Sequence, residues 1–273
     1  MIRSGVIPIA IALLSLQLAS AKDFQKSYTV SAGLQVIIEN NLGNIKLTGH
    51  KGKTIELTAY RKGTEGDAIG INDETFPDGL RIYSRYGKFP SPKEFVPPKS
   101  FGPPGRFTPP QPFPPRERFE RPDASVDMEI LIPQSMEYRF VRLVSFNGKV
   151  EISGVTGPLW ARSERGSVEV KDVRGSVNAS SVSGHISALI EHARDRGDMR
   201  FVSFSGSVEV RAPANLDASV EMWSRSGLIK TDFPIEIKEE RYGPAKSAKG
   251  ILKLGGRKLL ISSVSGPVSL IRK

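Results

Sequence analysis

The sequence predicts an all-β protein: a single-stranded, right-handed parallel β-helix of about eight rungs with a Pro-rich insertion. One supporting observation is a repeated pattern, in which alternating apolar residues precede Ser-x-x-Gly and further alternating apolar residues follow it. The other is the spacing of eighteen residues between Gly148, Gly166 and Gly184. Each half of the pattern has a period of two, which places alternate side chains on one face of a β-strand.

Residues 1–21 are typical of a secretory signal peptide. Arg3 supplies the positive start, Val6–Leu18 is an apolar stretch, and Ala19–Ala21 is a small-x-small cleavage site. We therefore expect cleavage after Ala21 and an exported protein, periplasmic or extracellular, with an uncleaved N-terminal anchor as the alternative. The chain contains no Cys, which excludes disulfides and a lipid anchor of the bacterial lipoprotein kind.

The repeat runs through residues 22–89, the predicted N-terminal rungs, and residues 123–273, the predicted main repeats. Two strands in eighteen residues cannot bury a core alone, so parallel stacking at about 4.8 Å is expected. Right-handedness follows from the usual crossover preference. The glycine marks a bend that either excludes a side chain or needs a positive φ. The polar residue three positions earlier can satisfy backbone groups at the corner. The aligned glycines are Gly43, Gly87, Gly148, Gly166, Gly184, Gly206, Gly227 and Gly266.

Residues 90–122 form a Pro-rich insertion that we expect to be flexible. They contain more than half of the chain's 20 prolines, a density that favours polyproline II or disorder over a sheet. Phenylalanine recurs there every six residues, and basic residues outnumber acidic ones. One interpretation is a recognition arm for a polymer, a membrane surface or a partner domain. The other is a tethered loop whose rings pack on the solenoid. The candidate contact residues are Phe101, Phe107 and Phe113.

The chain resembles the bacterial putative-adhesin family of exported β-strand-repeat proteins, a domain of unknown function. The resemblance rests on Ile130–Pro133 leading into Ser145–Val155, on the successive Ser-x-x-Gly units, and on the closing Leu259–Leu270 unit. It covers residues 30–273 except the Pro-rich arm. The family name implies adhesion or surface binding, and it brings no catalytic motif.

The outward carboxylates Glu151 and Glu169 are the only candidates for catalysis that the repeat suggests. Stacked on neighbouring rungs they would lie about 5 Å apart, the separation of a retaining glycosidase pair. Lys149 and Lys171 lie beside them, so a solvated ladder of ion pairs is the expected arrangement. No nucleotide-binding or nucleophile motif occurs, and the three histidines have no acidic cluster nearby. We therefore expect no enzyme activity, no cofactor and no metal site.

Trp160 and Trp223 fall on outward positions, with Arg162 and Arg225 nearby. An exposed Trp beside Arg suits stacking against a sugar ring or another aromatic group; the alternative is that an excursion of the chain covers both rings. The net charge of +10 favours an anionic partner. Candidate partners are a cell-envelope glycan, an anionic membrane surface or another envelope protein. Export argues against nucleic acid.

The leading functional hypothesis is non-enzymatic, adhesin-like binding or scaffolding at the bacterial cell envelope. The alternatives are a carbohydrate-active β-helix enzyme that uses the surface carboxylates, or an envelope-stress signalling component.

Overall fold

The computed structural model describes residues 24–29, 32–86, 123–192, 197–239 and 243–273. The predicted signal peptide and the Pro-rich insertion, with Phe101, Phe107 and Phe113, lie outside the described residues. In the described part of the chain, regular structure is β except for one 3₁₀ turn at Gly66–Ala68. No helix in these ranges is long and apolar enough to cross a membrane.

The strands are numbered in chain order. The first ten are β1 (Phe24–Thr29), β2 (Gln35–Leu42), β3 (Ile45–His50), β4 (Thr54–Lys62), β5 (Ile69–Phe76), β6 (Gly79–Tyr86), β7 (Ser125–Pro133), β8 (Phe140–Asn147), β9 (Val150–Ser153) and β10 (Leu159–Ser163). The remaining strands are β11 (Val168–Lys171), β12 (Val177–Ser181), β13 (Ile186–Leu189), β14 (Met199–Ser203), β15 (Val208–Ala212), β16 (Ala218–Ser224), β17 (Ile229–Thr231), β18 (Ile237–Glu239), β19 (Lys246–Leu252), β20 (Lys258–Ser263) and β21 (Val268–Arg272).

These strands form two large, mostly parallel sheets. Sheet A has the spatial order β1-β4-β7-β3-β9-β11-β13-β15-β21-β17. Sheet B has the order β18-β19-β16-β20-β14-β12-β10-β8-β2-β6-β5. Alternate apolar side chains of both sheets are buried in one shared core, as Leu143 of β8 and Ile152 of β9 illustrate. The all-β prediction and the parallel stacking of the repeat are confirmed.

A rung consists of one strand of sheet B, a corner, and the following strand of sheet A. In the middle of the stack, β8, β10, β12 and β14 pair in parallel, so that Ser145, Ser163, Ser181 and Ser203 stand in one line. The strands that follow each corner pair in the same register in sheet A. Identical repeat positions therefore lie side by side, as the spacing of eighteen residues predicts.

The stack departs from chain order at both ends, although a fixed repeat predicts successive units as neighbours. Strands β2 and β3 lie between β6–β7 and β8–β9, and the closing strands β20 and β21 lie between β14–β15 and β16–β17. The connection from β7 to β8 (residues 134–139) and the connection from β15 to β16 (residues 213–217) each pass over one rung that another part of the chain fills. They are about as long as the connections in the middle of the stack, such as residues 154–158 between β9 and β10.

The repeat unit that contains Gly87 also differs from expectation. The pattern places its second strand at Phe89, which lies outside the described residues. The strand that pairs with β3 at this level is β7, which begins at Ser125. The Pro-rich insertion therefore separates the two strands of a single rung, because it lies between the end of β6 at Tyr86 and the start of β7.

Antiparallel strands cover three of the four ends of the two sheets, the exception being β17 of sheet A. Beyond β7, sheet A continues with β4 and β1. Beyond β6, sheet B continues with β5, and beyond β16 it continues with β19 and β18. Such additions protect the open edges of a parallel stack from pairing with other chains.

Candidate functional site

The repeated serines at the corners form a buried hydrogen-bond ladder. Six of the hydroxyls donate to the carbonyl of a corner glycine in the neighbouring rung, at 2.8–3.1 Å; they belong to Ser145, Ser163, Ser181, Ser203, Ser224 and Ser263. Ser203 Oγ, for example, donates to Gly184 O at 2.9 Å and accepts from Gly206 N–H at 2.9 Å. All of these serines are buried. The predicted polar ladder is confirmed, and its hydroxyls are occupied by the backbone rather than available to a ligand.

The corner glycines are required mainly by close approach of the backbone. A Cβ on Gly184 would lie 2.0 Å from the carbonyl oxygen of Gly166, and the other central corners are equally tight. Among the described repeat glycines, only Gly43 has a positive φ, at 118°. Of the two reasons that the sequence leaves open, exclusion of a side chain therefore applies to most of the stack.

The outer face of sheet A is a ladder of ion pairs. Glu151 and Glu169 lie side by side in register, and Lys149 contacts both, with 2.7 Å between its Nζ and Glu169 Oε2. Lys171 contacts Glu169 from the other side. Hydrogen bonds from Lys149 and Lys171 lower the pKa of Glu169 below its usual value. A general acid needs a raised pKa, so this carboxylate has the wrong shift for acid catalysis.

The outer face of sheet B carries a different row of side chains. Trp160 of β10 lies in register with Arg142 of β8 on one side and with Asn178 of β12 on the other. The row continues through Arg200 of β14 to Leu260 of β20. Each of these residues stands three positions before a corner serine, so the repeat itself brings them together.

Trp160 stands at one side of a groove of about 360 Å³ on this face. The indole is 45% exposed, and the edge of Phe140 packs against it with 5.5 Å between ring centroids and 72° between planes. Polar side chains approach the groove from the other strands. The residues that line it include Trp160, Asn178, Asp198, Arg200, Lys258 and Leu260.

The charges around the groove are not neutralised as they are on sheet A. Arg142, Arg200 and Lys258 are exposed, and within the described ranges none of them takes part in an ion pair. The carboxylate in the groove, Asp198, accepts the backbone N–H of Lys258 at 2.9 Å. Two cations, Arg200 and Lys258, therefore line the groove with one carboxylate, and Arg142 lies beside Trp160 on the neighbouring strand, which leaves the region positive.

The other predicted binding residues do not join this groove. Trp223 of β16 is half-buried between Ser262 and Ser247 of the adjacent strands, four strand spacings from β10, or about 19 Å. Arg162 is ion-paired with Glu164, with 2.7 Å between its Nε and Oε1. Arg225 is exposed at the corner after β16. The two tryptophans thus share a face but not a site.

Sequence reasoning selected Trp160 and missed its neighbours Arg142, Asn178, Asp198, Arg200 and Lys258. Aligning the copies on their corner serines would have found Arg142, Asn178 and Arg200, since they occupy the same repeat position as Trp160. Lys258 could not be predicted as part of the groove from the sequence, because it lies there only as a result of the position of β20 between β14 and β16.

A second exposed feature follows the corner itself, at the position after each serine. Phe146, Val182 and Phe204 are 54%, 38% and 56% exposed there. Phe204 is an aromatic side chain about as exposed as Trp160, but it lies outside the groove, which makes it a matched control. Elsewhere in the described ranges, no three His, Asp or Glu side chains are placed to hold a metal ion.

The strand repeat that builds this groove matches a known family. A family model described as Toastrack DUF4097 matches residues 128–270, which is more than half of the chain. The chain belongs to the Toastrack DUF4097 family. The Toastrack match runs from β7 to β21 and includes every residue of the Trp160 groove. It confirms the resemblance to a family of unknown function that the Ser-x-x-Gly units indicated.

Two solved structures are similar to this Toastrack protein. One is a putative cell adhesion protein from Clostridium sporogenes ATCC 15579, with a TM-score of 0.48 and 10% identity over 92% of this chain and 99% of that one. The other is a putative adhesin from Bacteroides fragilis NCTC 9343, with a TM-score of 0.27 and 12% identity over 93% of this chain and 99% of that one. No curated protein matches the chain.

Proposed function

We propose that the protein is a non-enzymatic, adhesin-like binding protein of the bacterial cell envelope, with the outer face of sheet B as its binding surface. The observation that carries this proposal is the Trp160 groove, where an exposed indole stands among cations without ion-pair partners. Exposed aromatic groups beside convergent polar groups favour ligand binding over a purely structural role. The net charge of +10 agrees with an anionic envelope component as partner.

In this proposal, cleavage after Ala21 delivers the mature chain to the periplasm or the cell surface. The N-terminal rungs (22–89) and the main repeats (123–273) then act as one rigid support, a right-handed solenoid of about eight rungs. The support for a single rigid unit is the core that both regions share. Residues 90–122 supply a basic, aromatic arm for further contacts, through Phe101, Phe107 and Phe113.

The two alternative functions have less support. A glycosidase would need Glu151 or Glu169 as a proton donor, and lysine contacts lower the pKa of Glu169 instead of raising it. Those contacts make the pair a surface ion-pair ladder. No feature of the described residues favours envelope-stress signalling over simple binding.

Cosedimentation with purified bacterial envelopes tests the proposed function. We expect the mature protein, residues 22–273, to sediment with envelopes at low ionic strength. Binding should weaken as salt rises, because salt screens the attraction between exposed cations and an anionic surface. An unrelated all-β protein of similar net charge serves as the control. Sedimentation no greater than that of the control at every salt concentration would contradict the proposal.

A further inference from the structure

In the middle of the stack, the outer row of sheet B through Trp160 differs from the outer row of sheet A in how its charges are paired. On sheet A, lysines and arginines contact glutamates on the same or the neighbouring strand, as in the pairs Lys149–Glu169 and Arg211–Glu209. On sheet B, the row through Trp160 places Arg142 and Arg200 on either side of the indole without such partners. Sheet B has ion pairs of its own elsewhere, such as Arg81–Glu39 and Lys249–Glu221, so the available cations are a local feature of the row through Trp160.

We propose that the Trp160 groove binds a carboxylated polysaccharide, with one sugar ring stacked on the indole and uronate carboxylates held by the flanking cations. This inference rests on the proposed function, since it takes the outer face of sheet B as the binding surface and names the ligand class. The residues that carry it are Arg142, Trp160, Asn178, Asp198, Arg200 and Lys258.

The indole is held ready for stacking. Phe140 contacts it edge-on, which restrains the ring, while nearly half of the side chain remains open to solvent. A sugar ring presents C–H groups on one face and hydroxyls at its edge, so it can cover an indole while its polar groups remain hydrogen-bonded. The strand that carries Trp160 lies in the middle of a parallel ladder, a rigid support that limits the entropy lost on binding.

The charges select an acidic polymer. Arg142 and Arg200 lie three strand spacings apart, about 14 Å, with Trp160 and Asn178 between them. That span exceeds one sugar ring, so an oligosaccharide can contact both guanidinium groups while a single sugar cannot. Guanidinium groups bind carboxylates in a two-point geometry, and Lys258 adds a third cation at the groove.

The remaining polar groups suit sugar hydroxyls. The Asn178 amide can both donate and accept hydrogen bonds, and it lies directly beside Trp160 in the ladder. The Asp198 carboxylate accepts one backbone N–H and has further capacity to accept hydrogen bonds from hydroxyls. A polyanion without rings would not stack on Trp160, and a neutral glycan would not pair with the cations. An acidic glycan can make both kinds of contact.

Titration calorimetry on the mature protein tests the ligand class, with hexagalacturonate as the probe. Its fully methyl-esterified form is the neutral match, polyphosphate the anion without rings, and a thymidine oligonucleotide the anion with flat bases. We expect hexagalacturonate to bind more tightly than each of the three. Binding of the methyl ester with equal affinity, or tighter binding of polyphosphate or the oligonucleotide, would overturn the proposal.

Substitutions locate the site. We expect Trp160→Ala and Arg200→Ala each to weaken hexagalacturonate binding on the order of tenfold, the scale of a lost stacking contact or charge-assisted hydrogen bond. Lys258→Ala should weaken it less. The control Phe204→Ala removes an equally exposed aromatic group at the corner and should leave the affinity unchanged. Thermal unfolding of each variant checks that the fold is retained, which the surface location of all four residues favours.

The two proposals fail in different ways. If Trp160→Ala binds hexagalacturonate as wild type does, the glycan site is overturned, and normal envelope cosedimentation by the same variant would leave the proposed function standing. If the wild-type protein fails to sediment with envelopes beyond its control, the proposed function fails, whatever the calorimetry shows.

Discussion

At the scale of single residues, the corner serines are the most constrained polar groups in the stack. Ser181, Ser203, Ser224 and Ser263 each donate to a backbone carbonyl of the neighbouring rung and accept the backbone N–H of their own corner glycine. These hydroxyls are buried, so the loss of one leaves backbone groups without that partner. The serine therefore contributes to stability by completing the backbone hydrogen bonding of the corner, which explains its recurrence at a fixed distance before glycine.

We expect Ser203→Ala to lower the free energy of unfolding by about 1–3 kcal/mol, because it leaves Gly206 N–H buried without that acceptor. Ser205→Ala is the matched control. Its exposed hydroxyl makes one longer bond, 3.3 Å to Val182 O, so its removal should change stability by less than about 0.5 kcal/mol. Urea unfolding monitored by circular dichroism measures both. Equal effects of the two substitutions would show that the ladder is not a stabilising feature.

At the scale of elements, the Pro-rich insertion is set apart from the strands that flank it. It begins after β6 and ends before β7, and these strands pair with β2 and β3, which are themselves adjacent in the stack. β6 pairs with β2 as far as Tyr83, and β7 pairs with β3 from Met128 onward. The insertion thus falls at a corner, where an added segment does not interrupt either sheet.

We expect removal of residues 90–122 to leave the thermal unfolding temperature nearly unchanged and to weaken cosedimentation with envelopes. The first result follows because the deleted residues belong to none of the strands in the described part of the chain. The second follows because residues 90–122 contain six basic and three acidic residues, a net charge of +3, and five phenylalanines spaced six residues apart, from Phe95 to Phe119. A second variant replaces residues 90–122 with a Gly/Ser segment of equal length. It distinguishes an effect of the segment's length from an effect of its charged and aromatic side chains. Envelope binding that survives the deletion unchanged would remove the arm from the proposed function.

The elements themselves were predictable from sequence, and their arrangement was predictable only in part. Period-two alternation and Ser-x-x-Gly identify the paired strands, because burial and the tight corner act locally on each copy. Spatial order is different, since near-identical rungs offer near-identical surfaces to one another. The local pattern therefore does not predict that β20 pairs with β14. For the same reason the groove was only partly predictable. Trp160 could be selected from the sequence as an outward aromatic residue, whereas Lys258 lines the groove only because β20 pairs with β14.

At the scale of the whole molecule, the closing strands connect parts of the stack that are otherwise not in contact. β20 pairs with β14 on one side and β16 on the other, and β21 does the same between β15 and β17. Most repeat proteins are stabilised by contacts between sequential neighbours, so that loss of a terminal repeat removes one interface. Here, loss of the C-terminal rung removes two interfaces from the interior of the stack.

We expect truncation after Gly256 to abolish the single cooperative unfolding transition, because the shortened chain leaves β14 and β16 without the strand that joins them. Removal of Arg272 and Lys273 alone is the control, since both residues are exposed and the rest of β21 remains. Differential scanning calorimetry distinguishes the outcomes. A truncated chain that still unfolds in one transition near the wild-type temperature would show that β16 can pair with β14 directly.

The interior position of the C-terminal rung also imposes an order of events on a chain that is synthesised, and in our proposal exported, from its N-terminus. The strands up to β19 are synthesised first. They cannot form the complete sheets until β20 and β21 are present, because these two strands lie between earlier ones. The final sixteen residues, 258–273, close both sheets together. An unfinished or prematurely cleaved chain would therefore keep open sheet edges that proteases and chaperones recognise. A chain that lacks residues 258–273 therefore differs from one that contains them in its exposed sheet edges as well as in its length.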